Sequence, residues 1–155
     1  MRSLKFILTG AFLVLIVASG RTGDDAAQAA ALVNQGRYQE AAQAYESLTA
    51  RQPSDAGLQQ SLGLCYQALG NYPRAVDSLE KAVSLSADPT EPAYSLALLN
   101  EALAQDPARA GERRRHLESA RAAWRLVLMH GHGHEARAAA RHLERLEGDL
   151  KDTRP

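Results

Sequence analysis

The chain has 155 residues, of which 45% are hydrophobic but only 5% aromatic, and 18 basic residues balance 18 acidic ones. This length is enough for one domain. Ala and Leu dominate the apolar residues, which favours closely packed helices over a sheet of β-branched and aromatic residues. The charge is unevenly placed, with 5 basic and 11 acidic residues over 21–107 and 11 basic and 7 acidic over 108–155. This asymmetry is too mild to indicate a nucleic-acid partner.

The first 20 residues have the pattern of a secretory signal peptide. Arg2 and Lys5 precede an apolar run over residues 6–18, and small residues suited to signal peptidase follow it. A membrane-spanning helix needs about 20 apolar residues, so we expect cleavage and a periplasmic or secreted protein. An inner-membrane anchor over residues 4–20 is the alternative.

The first pair of helices is predicted from the order of turn residues. An Ala-rich helix begins near Asp24 and Asp25, which are suited to cap it, and runs to about Gln35. Residues 36–38 form a turn, and Pro53 ends the helix that follows. The expected result is an amphipathic helix–turn–helix unit.

A second and clearer unit lies over residues 62–82, LGLCYQALGNYPRAVDSLEKA. Leu62, Tyr66 and Leu69 fall on one helical stripe, Gly70 suits a left-handed helix end, and Pro73 suits the first turn of the next helix. The two units have one period. The pairs 34 residues apart are Gly36 and Gly70, Tyr38 and Tyr72, Ala41 and Ala75, and Tyr45 and Leu79.

The rest of the chain predicts a third helix pair and a final helix. One helix runs from about Pro92 to Gln105, and its partner contains Ala120, Trp124 and Val127. Compared with the second helix of the unit over 62–82, this partner helix has 11 additional residues at its start, which begin near Ala108. The last helix is expected over 134–148, facing inward through Ala136, Ala139, Leu143 and Leu146, and residues 149–155 are expected to form a flexible tail.

Residues 62–82 resemble the tetratricopeptide repeat, a 34-residue helix–turn–helix unit. The matching residues are Leu62, Gly63, Tyr66, Gly70, Tyr72, Ala75, Leu79 and Ala82. The pattern's first large residue falls on Gln59 and its closing proline on Ala87, which are departures. The resemblance implies an all-α, right-handed solenoid over residues 21–148. It would have repeats at about 22–55, 56–89 and 90–130 and a capping helix at 134–148.

The resemblance also implies where a partner binds. The first helix of each repeat lines a concave groove for a peptide segment. By position, this groove is formed by Gln60, Leu64, Gln67, Tyr94, Leu98 and Glu101, together with Ala26, Ala30 and Val33 of the first repeat. Some family members bind a C-terminal carboxylate through a Lys/Asn/Arg clamp. The corresponding residues here cannot form it: Ala26, Ala30, Ser61, Glu91 and Ser95.

The residues with a possible chemical role are few. His130, His132 and His134 have a spacing that suits copper, nickel or zinc on an extended backbone, so a periplasmic metal-binding protein is the alternative function. Cys65 is the only cysteine, which excludes an internal disulfide, and we expect it to be a small buried residue. No phosphate loop, nucleophile elbow or paired inward carboxylates indicate an enzyme or a cofactor.

The sequence therefore predicts a non-catalytic adaptor or scaffold in a bacterial envelope assembly or secretion complex. Its partner is expected to be a protein or peptide with apolar anchors, bound as an extended or helical segment. Packing against a membrane-protein complex or against a second copy of the chain stays open as another use of the same surface.

Overall fold

A computed structural model describes residues 23–152, and this part of the chain is helical almost throughout. The helices are α1 (23–34), α2 (Tyr38–Arg51), α3 (Ala56–Ala68), α4 (Tyr72–Leu85), α5 (Thr90–Gln105), α6 (Arg113–His130) and α7 (Gly133–Asp152), with a short 3-10 helix (Pro107–Glu112) between α5 and α6. No strand occurs within 23–152, so the all-α repeat fold is confirmed. The predicted signal peptide over 1–20 lies outside the described residues.

Two of the turns between helices are built in the same way. Gly36 and Gly70 have φ angles of 74° and 71°, the left-handed region that favours glycine. In each turn, the backbone N–H of the residue after the glycine donates to a carbonyl five residues earlier, at 2.9 Å. These bonds satisfy helix-end carbonyls. The 34-residue period of the sequence is therefore a repeated helix–turn–helix geometry.

The α3 and α4 helices cross closely at Gly63. A Cβ atom built on Gly63 would lie 2.8 Å from Cγ of Leu79 and 3.2 Å from the carbonyl oxygen of Ala75. Ala75 and Leu79 are both fully buried. The small residue is needed here because any side chain would occupy the space of the facing helix.

The apolar core runs along the stack from α1 to α7, and neighbouring helices in the chain make the main contacts. The largest fully buried side chains in the described part are Leu48, Cys65, Leu79, Leu99, Asn100, Trp124, Val127 and Leu146. Trp124 is central to the C-terminal half, since the Tyr94 ring meets it edge-on at 5.0 Å and the His142 ring stacks on it at 4.2 Å.

The sequence predicts that the 11-residue extension is a continuous part of the helix that contains Trp124. The structure differs from this prediction. Residues 107–112 form the separate 3-10 helix, whose Arg109 has non-helical backbone angles, and α6 begins only at Arg113. The physical reason lies in Pro107, which restricts the residue before it, and in the Asp106 side chain, which accepts a hydrogen bond from the N–H of Ala108 at 3.0 Å. These local features start a new element.

The last helix is longer than predicted. It ends at Asp152 instead of near Gly148, so residues 149–152, expected to be part of a flexible tail, are helical. Leu150 is buried and continues the inward stripe of Ala139 and Leu146, and this burial offsets the entropy of ordering the extra turn. Among the helices of residues 23–152, none has both the length and the apolar character needed to span a membrane.

Candidate functional site

An open cleft of about 480 Å³ lies where α1, α2 and α3 meet. We call it the N-terminal cleft. Its lining residues are Ala30, Val33, Asn34, Tyr38, Tyr45, Ser61, Leu64, Cys65, Gln67 and Ala68. None of these ten side chains carries a charge at neutral pH, so the cleft presents apolar surface with a few amide and hydroxyl groups.

The local sequence explains why the cleft is open and apolar. Leu64 and Gln67 lie three residues apart on α3 and therefore share one face of that helix. The opposite face carries Leu62 and Tyr66, which are buried in the core. Leu64 is 44% exposed although it is a large aliphatic residue. Its side chain is available to a partner without disturbing the packing of α3.

The structure distributes the six predicted groove residues over different environments. Leu64 and Gln67 line the N-terminal cleft, and Gln60 is half-buried on the same helix. Leu98 is exposed on α5, whereas Tyr94 is partly buried against the core. Only the α3 residues and Leu98 thus keep surface of the kind that the resemblance implied.

Glu101 is not on an open surface. Its side chain is buried among residues of α6 and α7, which we call the Glu101 cluster: Glu101, Trp124, His142 and Arg145. Its Oε1 accepts a hydrogen bond from the indole N–H of Trp124 at 2.7 Å and lies 2.8 Å from Nδ1 of His142. Its Oε2 accepts from the Arg145 guanidinium. Glu101 therefore fastens three helices together instead of facing a ligand.

Sequence reasoning missed part of the cleft. It used Tyr38 and Tyr45 only as evidence for the 34-residue period, yet both also line the cleft. The signal that was available is the type of residue. Tyr38 is an aromatic residue at the start of a helix, and in the structure its side chain is 37% exposed.

Cys65 lines the same cleft but is buried in its wall. Burial raises the pKa of its thiol above the ordinary value because the thiolate is penalised in an apolar environment. A thiol held in the neutral form is a poor nucleophile, so the surroundings of Cys65 agree with the packing role that the sequence predicts.

The histidine segment lies between α6 and α7. His130, His132 and His134 are exposed, and Asp88 beside them already accepts hydrogen bonds from Thr90. Those bonds hold the pKa of Asp88 below its ordinary value. Within residues 23–152, no group of three or more His, Cys, Asp or Glu side chains is placed to hold a metal ion. The metal-binding alternative therefore gains no support from the arrangement.

Three solved structures have the same fold at low sequence identity. The chain is 20% identical to a chain of a T3SS complex from Aeromonas hydrophila, with a TM-score of 0.72, covering 92% of this chain and 90% of that one. PcrH, solved in complex with the chaperone binding region of PopD, is 20% identical with a TM-score of 0.64, covering 84% and 94%. The type III secretion translocator chaperone SycD of Yersinia enterocolitica is 17% identical with a TM-score of 0.60, covering 88% and 95%.

The family comparison agrees with the repeat geometry. No curated protein matches the chain. The family model described as tetratricopeptide repeat matches residues 26–92, the segment from α1 to the start of α5 that contains both glycine turns and the Gly63 crossing. Residues 26–92 of this chain therefore match the tetratricopeptide repeat, as the sequence predicts.

Proposed function

We propose that this protein is a non-catalytic adaptor that binds a segment of a partner protein in the N-terminal cleft. The observation that carries the proposal is an open, uncharged cleft of about 480 Å³ with the aliphatic side chain of Leu64 exposed in it. Binding sites are typically concave and mostly apolar with a few polar groups, and the N-terminal cleft has this composition.

The lining defines the kind of segment that fits. Leu64, Val33 and the Tyr38 ring offer contact to an aliphatic or aromatic anchor residue. Asn34 and Gln67 add amide groups that can bond to the backbone of an extended or helical segment. Without a charge in the cleft to compensate it, a charged anchor would lose its hydration at a net cost.

The similar structures support a role in secretion. Two of them are described in connection with type III secretion, and PcrH was solved with the chaperone binding region of PopD. We propose by analogy that this chain binds a component of a secretion or envelope assembly complex. A second copy of the chain or a membrane-bound complex are other partners that the experiment below distinguishes.

Leu64→Glu is expected to weaken partner binding at least about tenfold, because it removes an aliphatic contact and buries a charge on binding. Partners crosslinked in the native envelope would be identified first, and the bound segment would then be synthesised. Its affinity for the purified variants is measured by fluorescence anisotropy.

Leu128→Glu is the matched control. Leu128 is 43% exposed on α6, almost the same as Leu64, and it lies outside the cleft. The control should bind like the unaltered protein. Equal weakening by both substitutions, or by neither, would contradict the placement of the site in the N-terminal cleft.

We also propose that the protein is exported. If residues 1–20 act as a signal peptide, the protein recovered from the envelope should lack them, and its mass should be that of a chain beginning at Arg21. Intact-mass measurement after cell fractionation checks this. A full-length protein in the membrane fraction would favour the anchor over residues 4–20, and a full-length cytoplasmic protein would contradict both.

A further inference from the structure

The first turn of α6 carries four basic residues in succession, Arg113, Arg114, Arg115 and His116, and no acidic one. The unbonded N–H groups at the start of a helix give that end a partial positive charge, which favours acidic side chains and disfavours basic ones. Each positive charge in this turn therefore needs a carboxylate partner if it is not to weaken the helix.

The three arginines of this turn all have such a partner. The ion pairs are Arg113 with Asp149 of α7 at 3.7 Å, Arg114 with Glu118 at 3.0 Å and Arg115 with Glu112 at 2.6 Å. Within residues 23–152, the one carboxylate oxygen paired with His116 is the same Oε2 of Glu112, 3.4 Å from Nε2 of the ring. A proton on His116 would add a fourth positive charge to the turn and compete with Arg115 for that oxygen.

The His116 ring lies between α5 and the 3-10 helix and is only 6% exposed. Its Nδ1 lies 2.9 Å from Oδ1 of Asn100, and the Asn100 amide nitrogen donates to the carbonyl oxygen of Leu96 at 3.0 Å. Because Oδ1 of Asn100 can only accept, the neutral ring carries its single proton on Nδ1. This hydrogen bond joins the start of α6 to α5 without requiring any charge on the ring.

The surroundings of His116 disfavour a charge on it. Burial lowers the pKa of its imidazole below the ordinary value, because the charged ring would lose its hydration. The guanidinium groups of Arg115 and Arg109 act in the same direction, whereas Glu112 opposes them. The folded chain therefore holds this ring in the neutral form.

The other facing elements add no strong attraction for a proton on the ring. The α5 helix faces it with Asn100, which carries no charge. Across a cavity of about 470 Å³, the titratable residues of α4 are Tyr72, Asp77 and Glu80. The two acids are exposed, so solvent and salt weaken their effect on the ring. The start of α6 thus relies on a neutral His116.

We propose that His116 is an acid-sensitive switch that controls the start of α6. When the ring gains a proton, the first turn of α6 and the 3-10 helix detach from α5, and they return when the proton leaves. The switch is separate from the N-terminal cleft, because His116, Asn100, Glu112 and Arg115 do not line that cleft. The 11-residue extension of the third helix pair thereby becomes a segment whose order depends on pH.

The direction of the effect follows from the lowered pKa of His116. A detached segment accepts the proton near the ordinary histidine value of about 6.5, whereas the packed ring resists it. The neutral ring therefore contributes its full stability above that value, and this contribution is lost as the pH falls below about 6.5. A step to about pH 5.5 still lies above the ordinary range of carboxylates.

Amide hydrogen exchange of the purified protein at about pH 7.5 and about pH 5.5 tests the proposal. The carbonyls of the first turn of α6 accept hydrogen bonds from the amides of residues 116–119, so these amides report whether the turn is formed. We expect their protection factors, corrected for the intrinsic pH dependence of exchange, to fall at least about threefold at the lower pH. The amides of α3 should change less.

Three variants separate the switch from a general effect of acid. His116→Asn keeps a donor for Asn100 but does not titrate in this range, so its protection should not fall with pH. Arg115→Gln retains His116 and frees Glu112 to pair with the charged ring, so the fall should shrink to less than about half. Arg125→Gln removes an exposed arginine elsewhere on α6 and should respond to acid like the unaltered protein.

Equal protection at both pH values in the unaltered protein would overturn the proposal, as would an undiminished fall in His116→Asn. An equal fall in Arg115→Gln and Arg125→Gln would also overturn it. That last comparison keeps His116 in place, so it decides the matter where His116→Asn loosens the turn at both pH values. Leu64→Glu should leave the acid response unchanged, so the result is independent of the N-terminal cleft.

Discussion

Gly63→Leu is expected to lower the free energy of unfolding by about 3 kcal/mol or more. A Cβ atom at this position would already lie 2.8 Å from Cγ and 3.1 Å from Cδ2 of Leu79, and 3.2 Å from the backbone oxygen of Ala75. Leu79 is fully buried, so its side chain can move only by displacing other side chains of the core. The added side chain therefore forces α3 and α4 apart and opens the core beside them.

Urea unfolding followed by circular dichroism measures the change as a lower midpoint at an unaltered slope. Gly148→Leu is the matched control, because a Cβ atom on this α7 glycine would meet nothing within 4 Å. Replacing an exposed helical glycine with a better helix former should be neutral or slightly stabilising. Equal midpoints for the Gly63 variant and the unaltered protein would contradict the close crossing of α3 and α4.

Gly63→Ala separates the effect of the Cβ atom alone from the effect of the remaining volume of a leucine side chain. Its single methyl group makes the same first clash with Leu79 but adds no further volume. We expect a loss between those of the control and of Gly63→Leu. A graded series would show that the distance between the helices, and not helix propensity, determines the residue at this position.

Glu101→Ala is expected to lower the free energy of unfolding by about 2 kcal/mol, since it removes a buried carboxylate that accepts hydrogen bonds from α6 and α7. The indole N–H of Trp124, which is fully buried, loses the oxygen that it bonds at 2.7 Å. An unpaired buried donor is costly. His142 and Arg145 lose the group that holds them to α5, so α7 should loosen as well.

Two measurements distinguish this effect from a general loss of stability. Urea unfolding gives the free energy, and hydrogen exchange of the α7 amides shows whether that helix opens separately. Glu144→Ala is the control, because it removes an exposed carboxylate from α7 itself. Slow exchange of α7 in the Glu101 variant would contradict the fastening role of the cluster.

Glu101→Gln tests the chemistry of the cluster. The amide keeps an acceptor for the Trp124 indole but loses the charge that pairs with Arg145. Its loss should be smaller than that of the alanine variant. The comparison therefore divides the contribution of Glu101 into the hydrogen bond to Trp124 and the ion pair to α7.

The repeat fold follows from signals that act over short distances in the chain. Gly36 and Gly70 specify left-handed turns by lacking a Cβ atom, and Pro107 helps to end α5. The apolar stripes of α3 and α4 need only the helical period to be recognised. Leu64 and Gln67 lie three residues apart and therefore on one face of α3, and both line the cleft. Their role in binding stays a prediction.

By itself, the sequence determined the helix pairs and their period, because both depend on residue types within one repeat. Only the tertiary structure decided which faces stay open. Glu101 is polar and sits at a groove position of its repeat, yet Arg145, 44 residues later, covers it. The Arg109 guanidinium likewise lies 5.1 Å from the centre of the Tyr72 ring, 37 residues earlier in the chain. Such contacts cannot be predicted from the residues around them in the sequence. They depend on which distant helix packs opposite the residue.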